Sequence, residues 1–135
     1  MTDDKHKLLE TAQFYALGAD TKDVSLWHRV LAEECEIIGP GFHHQGRDAC
    51  MQSIGMLGQM FRATQHKIHQ QIVDFADGQA NGVTYATADH LLNDEDVILV
   101  WNMRYLDNWR QEDDKWLFTR RELVVDWQET RPVKL

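Results

Sequence analysis

Apolar positions recur at helical spacing in the first third of the chain and at alternating spacing through the rest. Leu8, Ala12, Tyr15 and Ala19 follow i, i+4, i+7, i+11, the stripe of an amphipathic helix. The stretch GADTKD (18–23) interrupts that stripe. Gly18 is suited to end the first helix, and Asp20 or Thr21 to cap the second. A short second helix is expected over about 22–32, carrying Val24, Trp27 and Leu31. CEIIGPGFHHQGR (35–47) reads as a strand, a Gly-Pro-Gly turn and a second short strand. A third helix starts near Asp48, with Cys50, Ile54, Leu57 and Phe61 as its apolar stripe.

Beyond that the period changes from 3.6 to 2. Residues 64–76, 79–92, 97–110 and 114–127 read as four long strands, broken at DG (77–78), NDED (93–96) and QEDD (111–114). Breaks this short pair neighbours as antiparallel hairpins. Three helices followed by a meander of strands predict a single α+β domain over 1–135. The helices should cover one face of a curved, mainly antiparallel sheet. Such a layer pair encloses a conical hollow, the usual setting of an apolar ligand site.

Charge narrows the function classes. Fourteen Lys and Arg stand against 22 Asp and Glu, a formal charge of −8, with no basic stripe. Neither nucleic acid nor an anionic membrane is expected as a partner. The opening MTDDKHKLLE is charged where a signal peptide is apolar. No apolar run approaches the roughly 20 residues of a membrane span. Cys35 and Cys50 form no CxxC or metal-type spacing, which reads as reduced thiols in a cytoplasmic protein.

Candidate chemistry begins at TQHKIHQQI (64–72). Strand alternation puts His66 in one row with Ile68, Gln70 and Ile72, and Lys67, His69 and Gln71 on the other face. His66 therefore points inward, where an imidazole is either a hydrogen-bonded core residue or a general base. Tyr15 lies on the apolar stripe of the first helix, so its hydroxyl is inside. His90 shares parity with Thr84, Ala86 and Ala88, small residues that leave room; Asp89 points the other way. Arg120 and Arg121 must diverge. Both rows are apolar, with Arg121 beside Leu117, Leu123 and Val125 slightly favoured as the inward one. Trp27, Phe42, Met51, Met56, Phe61 and Trp101 are candidates for an apolar wall, though most of them are expected to serve as ordinary core. His43, His44 and His69 match no metal-ligand pattern, and no metal is expected.

YALGADTKDVSLW (15–27), GRDA (46–49), TQHKI (64–68), ATADH (86–90), RYLDNWR (104–110) and KWLFTRRELVVDW (115–127), in that order and spacing, resemble the SnoaL-like branch of the nuclear transport factor 2-like superfamily. The resemblance covers nearly the whole chain. It implies a cone-shaped α+β fold with a deep pocket. That branch includes scytalone dehydratase, bile-acid 7α-dehydratase and hexachlorocyclohexane dehydrochlorinase, which pair a pocket His with an Asp from the region joining helices 1 and 2 and use no cofactor. The matching positions are His66 and Asp20. The dehydratases also imply Tyr15, five residues before the Asp, and a polar group at Asp89 or His90. A helix N-cap is the competing role for Asp20.

The superfamily also holds isomerases, cyclases and non-enzymatic binders, so the resemblance speaks for the fold more firmly than for the reaction. The expectation is a cofactor-free lyase, dehydrating a small, largely apolar substrate. His66 would be base and Asp20 its orienting partner. Tyr15 and His90 would act on the leaving oxygen, with Arg121 and Tyr105 binding substrate. An isomerase using the same base, or a binding or assembly module, is the alternative. A homodimer or homotrimer is expected from the broad sheet face.

Overall fold

The computed structural model describes residues 2–135, beginning with α1 (Thr2–Thr21) and α2 (Val24–Val30). Leu8, Ala12, Tyr15 and Ala19 of α1 are all buried. Gly18 does not end this helix. Lys22 does, at φ 58, with the Asp23 amide closing back on the Gly18 carbonyl at 2.9 Å. That six-to-one bond across a left-handed residue is a Schellman closure. Gly18 is needed for another reason: a Cβ there would stand 2.5 Å from Trp27 Cδ1. Trp27 lies flat on this notch, stacks on Tyr15 at 4.2 Å and donates from Nε1 to the Tyr15 carbonyl.

Neither Asp20 nor Thr21 caps α2. Asp23 does, accepting from the Ser25 amide at 2.9 Å, while the Thr21 hydroxyl donates back to Leu17. The second helix is also shorter than its pattern indicates. It stops at Val30, and Leu31 opens a strand, because Leu31 and Phe118 are paired across the sheet.

β1 (Leu31–Gly39) and β2 (Phe42–Gln45) form a hairpin, followed by α3 (Arg47–Met60). The meander is β3 (Ala63–Ala76), β4 (Gln79–Leu91), β5 (Val97–Glu112) and β6 (Lys115–Pro132). The sheet order is β2-β1-β6-β5-β4-β3, antiparallel except for the parallel β1–β6 pair. The β3–β4 turn has positive φ at both Asp77 and Gly78, the conformation that fits a two-residue hairpin to the sheet's twist. β6 runs five residues beyond the expected Trp127, because its far end stays paired with Val97–Asn102 of β5. Three helices thus pack against a curved, open six-stranded sheet, with Trp109, Phe118, Trp116, Leu8 and Cys50 in the core between them. Among the described residues no helix is long and apolar enough to cross a membrane.

Three register shifts in the β3–β6 meander bear on which side chains face the helices. One falls in β3 between Ile68 and Gln71. It breaks the expected 66-68-70-72 row: Ile72 is 63% exposed, while Gln71 turns in and donates to Thr84 Oγ1 at 3.0 Å. A second, opposite Asn108/Trp109, leaves Thr119 unpaired in the β5–β6 ladder. Trp116, Phe118 and Arg121 consequently share the inner face, and Arg121 does not follow the parity of Leu117. An extra residue in one strand exchanges the two faces beyond it. The third lies at Asn102/Met103, toward the exposed end of β6.

Candidate active site

Asp20 sits in the last turn of α1, where the aligned peptide dipoles disfavour a negative charge. Strand β3 supplies what the helix does not. The His66 amide donates to Asp20 Oδ2 at 2.8 Å, and the Thr64 hydroxyl donates to Oδ1 at 2.9 Å. His66 Nδ1 stands 2.6 Å from the same Oδ1. An ionised carboxylate only accepts, so Nδ1 carries the proton and Nε2 is left as a free acceptor. Both side chains keep some access: His66 is 9% and Asp20 19% exposed.

His90 lies one strand over, its ring centroid 6.2 Å from that of His66 and edge-on to it. Its Nδ1–H donates to the Leu99 carbonyl at 3.0 Å, which leaves Nε2 as an acceptor here as well. Burial pushes the His90 pKa down, partly offset by the Leu99 bond, so the ring is neutral at pH 7. Phe61 and Trp101 pack on it at 4.6 and 5.0 Å. Asp89 faces the other side of the sheet, bonded to Lys67 at 2.7 Å.

A second cluster surrounds Arg121. The guanidinium is fully buried and doubly bonded to Asp107, Nε to Oδ1 at 2.7 Å and Nη2 to Oδ2 at 3.0 Å. It stacks over Tyr105 at 3.7 Å, Phe118 at 4.2 Å and Tyr15 at 4.4 Å. Burial works to lower the Arg121 pKa, but Asp107 more than offsets it and the pKa is raised. Asp107 also accepts from Thr84, which in turn accepts from Gln71. Arg121 Nη1 is the one nitrogen of the group without a partner among the described residues. Burial drives the Tyr15 pKa up, with Tyr105 adding to it and Arg121 opposing. Burial likewise pushes Tyr105 up to about 12 against the pull of Arg121. Both phenols therefore keep their protons at neutral pH.

The structure thus brings together His66, Asp20 and His90 in one cluster, and Tyr15, Tyr105 and Arg121 in another, both on the helix-covered face of the sheet. Arg120 faces away, paired with Glu36 and Glu122. Trp27 is core under Tyr15. Met56 is 46% exposed and forms no wall. Phe42 sits on β2, at the opposite sheet edge from β3, against Gly39 and His44. Trp101 and Phe61 do border His90. Two surface hollows, of about 570 and 490 Å³, lie elsewhere: one beside Glu34, Trp109 and Arg120, the other between α1 and β3 at Leu9 and Ile72. Neither borders His66. Among the described residues no three His, Cys, Asp or Glu side chains gather as a metal site. Thr64 and Asp107 escaped the sequence reading. Asp107 had a signal, since it shares the inward row of Tyr105 and Trp109; Thr64 had only its place two residues before His66.

The model of the SnoaL-like domain matches residues 1–122. A candidate scytalone dehydratase from Novosphingobium aromaticivorans is 26% identical, covers all of this chain and 93% of its own, and superposes with a TM-score of 0.84. A hexachlorocyclohexane dehydrochlorinase from Novosphingobium barchaimii LL02 is 10% identical, with 96% and 91% covered and a TM-score of 0.87. A nuclear transport factor 2-like superfamily protein from Salmonella enterica is 16% identical, with 98% and 94% covered and a TM-score of 0.83. No functionally curated protein is close enough in sequence to count as a relative. The fold is that of the nuclear transport factor 2-like superfamily.

Proposed function

The chain belongs to the SnoaL-like domain family, and from that premise we propose that it is a cofactor-independent lyase that eliminates water from a small, largely apolar molecule. One observation carries the reading. Asp20 is not spent on capping a helix but holds His66 Nδ1–H, which leaves Nε2 to take a proton. A carboxylate in that role fixes the tautomer and stabilises the imidazolium as it forms. The substrate would need an acidic C–H beside an electron-withdrawing group and a leaving hydroxyl on the next carbon. His66 removes the proton. Tyr15 or Tyr105, protonated phenols in a dry cluster, donates to the oxygen that gains charge. The Arg121 cation beneath both rings lowers the penalty for that charge. Phe61 and Trp101 supply apolar contact. Assembly as a homodimer or homotrimer belongs to the proposal, supported by the exposed far end of β6 with Trp127. Free, buried Cys35 and Cys50 suit a reducing cytoplasm.

The test is His66→Ala, assayed on β-hydroxycarbonyl compounds by absorbance of the conjugated product. A positioned base contributes roughly 10²–10⁴-fold, so the variant should stay folded and lose that much turnover. A folded variant at near-normal rate would refute the proposal.

An isomerase is the second reading, favoured by His90. Its free Nε2 makes it an acceptor rather than an acid, so two imidazoles could pass one proton between two substrate carbons. Solvent deuterium entering a product that has lost no water would decide for it. In a binding module, His66→Ala would alter ligand affinity with no turnover to lose.

A further inference from the structure

We infer that Thr64 is a positioning residue for the dyad, one that holds the oxygen of Asp20 to which the imidazole proton is tied. The inference rests on the base role proposed for His66. Asp20 has two oxygens and three donors. Oδ2 takes the His66 amide; Oδ1 takes both His66 Nδ1–H and the Thr64 hydroxyl. The backbone contact can hold Oδ2 but leaves the carboxylate free to swing about it. A second fixed point on Oδ1 removes that freedom. Thr64 supplies it because it lies two residues before His66 on the same strand face, so its hydroxyl and the imidazole approach one oxygen together.

The need for this anchor is local. Asp20 follows Ala19 in the final helical turn, where no basic side chain balances it. A carboxylate there gains nothing from its own helix and would turn toward water. Lys22, the nearest cation in sequence, extends instead over Gly58. Only β3 donates to Asp20 among the described residues. Thr64 is also the cross-strand partner of His90, the second imidazole. Its β-branched side chain has few rotamers, which suits a fixed donor.

The test reads the Nδ1 proton of His66 by NMR in the free protein, together with turnover. Thr64→Val keeps the shape and removes the hydroxyl. Thr64→Ala removes the hydroxyl without setting a second methyl against Asp20, and serves if the valine variant fails to fold. Hydrogen bonds to charged groups are among the stronger ones. Solvent exchange of the Nδ1 proton should therefore speed up about tenfold or more, and kcat should fall by a similar factor with KM unchanged. Thr64→Ser should restore both. A purely structural threonine would lower the melting temperature and leave the Nδ1 proton as protected as in the native chain; that result overturns the inference. Faster exchange in a protein that shows no turnover on any β-hydroxycarbonyl substrate supports the Thr64–Asp20 coupling and counts only against the elimination reading.

Discussion

Two carboxylates, Asp20 and Asp107, each hold a basic partner in this fold, and they end in opposite states. Asp107 and Arg121 are both completely buried, joined by two bonds, and braced through Thr84 to Gln71. Asp20 and His66 are joined by one side-chain bond and keep 19% and 9% of their surface in contact with solvent. The partner's chemistry matters as much as the access. A guanidinium stays protonated under all ordinary conditions, so the Asp107 pair holds charge in place. An imidazole can take up and release a proton where a guanidinium does not, so the Asp20 pair is the one built for proton transfer. In the proposed reaction the Asp107 pair would be a fixed electrostatic floor and the Asp20 pair a proton-exchanging edge.

The floor should fail hardest when broken. Asp107→Ala leaves the Arg121 cation buried without its counter-ion, a change that costs about 3–5 kcal/mol. Denaturant unfolding should show a loss of that size, and a loss under about 1 kcal/mol would mean that Arg121 finds another partner. The edge should respond in rate rather than stability. Asp20→Asn keeps the shape, removes the charge and offers the wrong hydrogen-bonding partner to Nδ1, so turnover should drop by about an order of magnitude or more. Its melting temperature should move far less than that of Asp107→Ala. Equal stability losses in the two variants would erase the distinction drawn between the pairs.

The smallest effect concerns His90 and pH. Unfolded, this imidazole takes a proton near 6.5; folded, burial delays protonation to lower pH. Below about 6.5 the unfolded chain then binds more protons, and stability declines as pH falls, by at most about 1.4 kcal/mol per pH unit for this one group. In His90→Gln the decline should be shallower by that share when melting is followed from pH 7 to pH 5. Identical slopes would show that His90 is protonated in the fold as readily as out of it.

Much of this molecule is decided by the order of its residues. The period of apolar positions suffices for three helices and four long strands, because one buried face per element demands it. The same alternation points His66 and His90 inward and Asp89 outward, since no bulge intervenes in β4 between Thr84 and His90. Tyr15 is committed by the stripe of α1. What alternation does not reveal is a residue inserted into one strand of a pair, because a bulge is visible only against its partner. Ile72, Gln71 and the row of Arg121 depended on that tertiary fact. The roles of Asp20 and Asp23 did too. The local sequence offered Asp20 or Thr21 as the cap of α2, a role Asp23 takes, and only the arrival of β3, 44 positions later at Thr64, gives Asp20 donors better than a helix end can offer. Asp107 became the counter-ion of Arg121 for the same reason. Strand pairing brings the two side chains opposite each other at Asp107↔Arg121, and a buried cation leaves the carboxylate no other use.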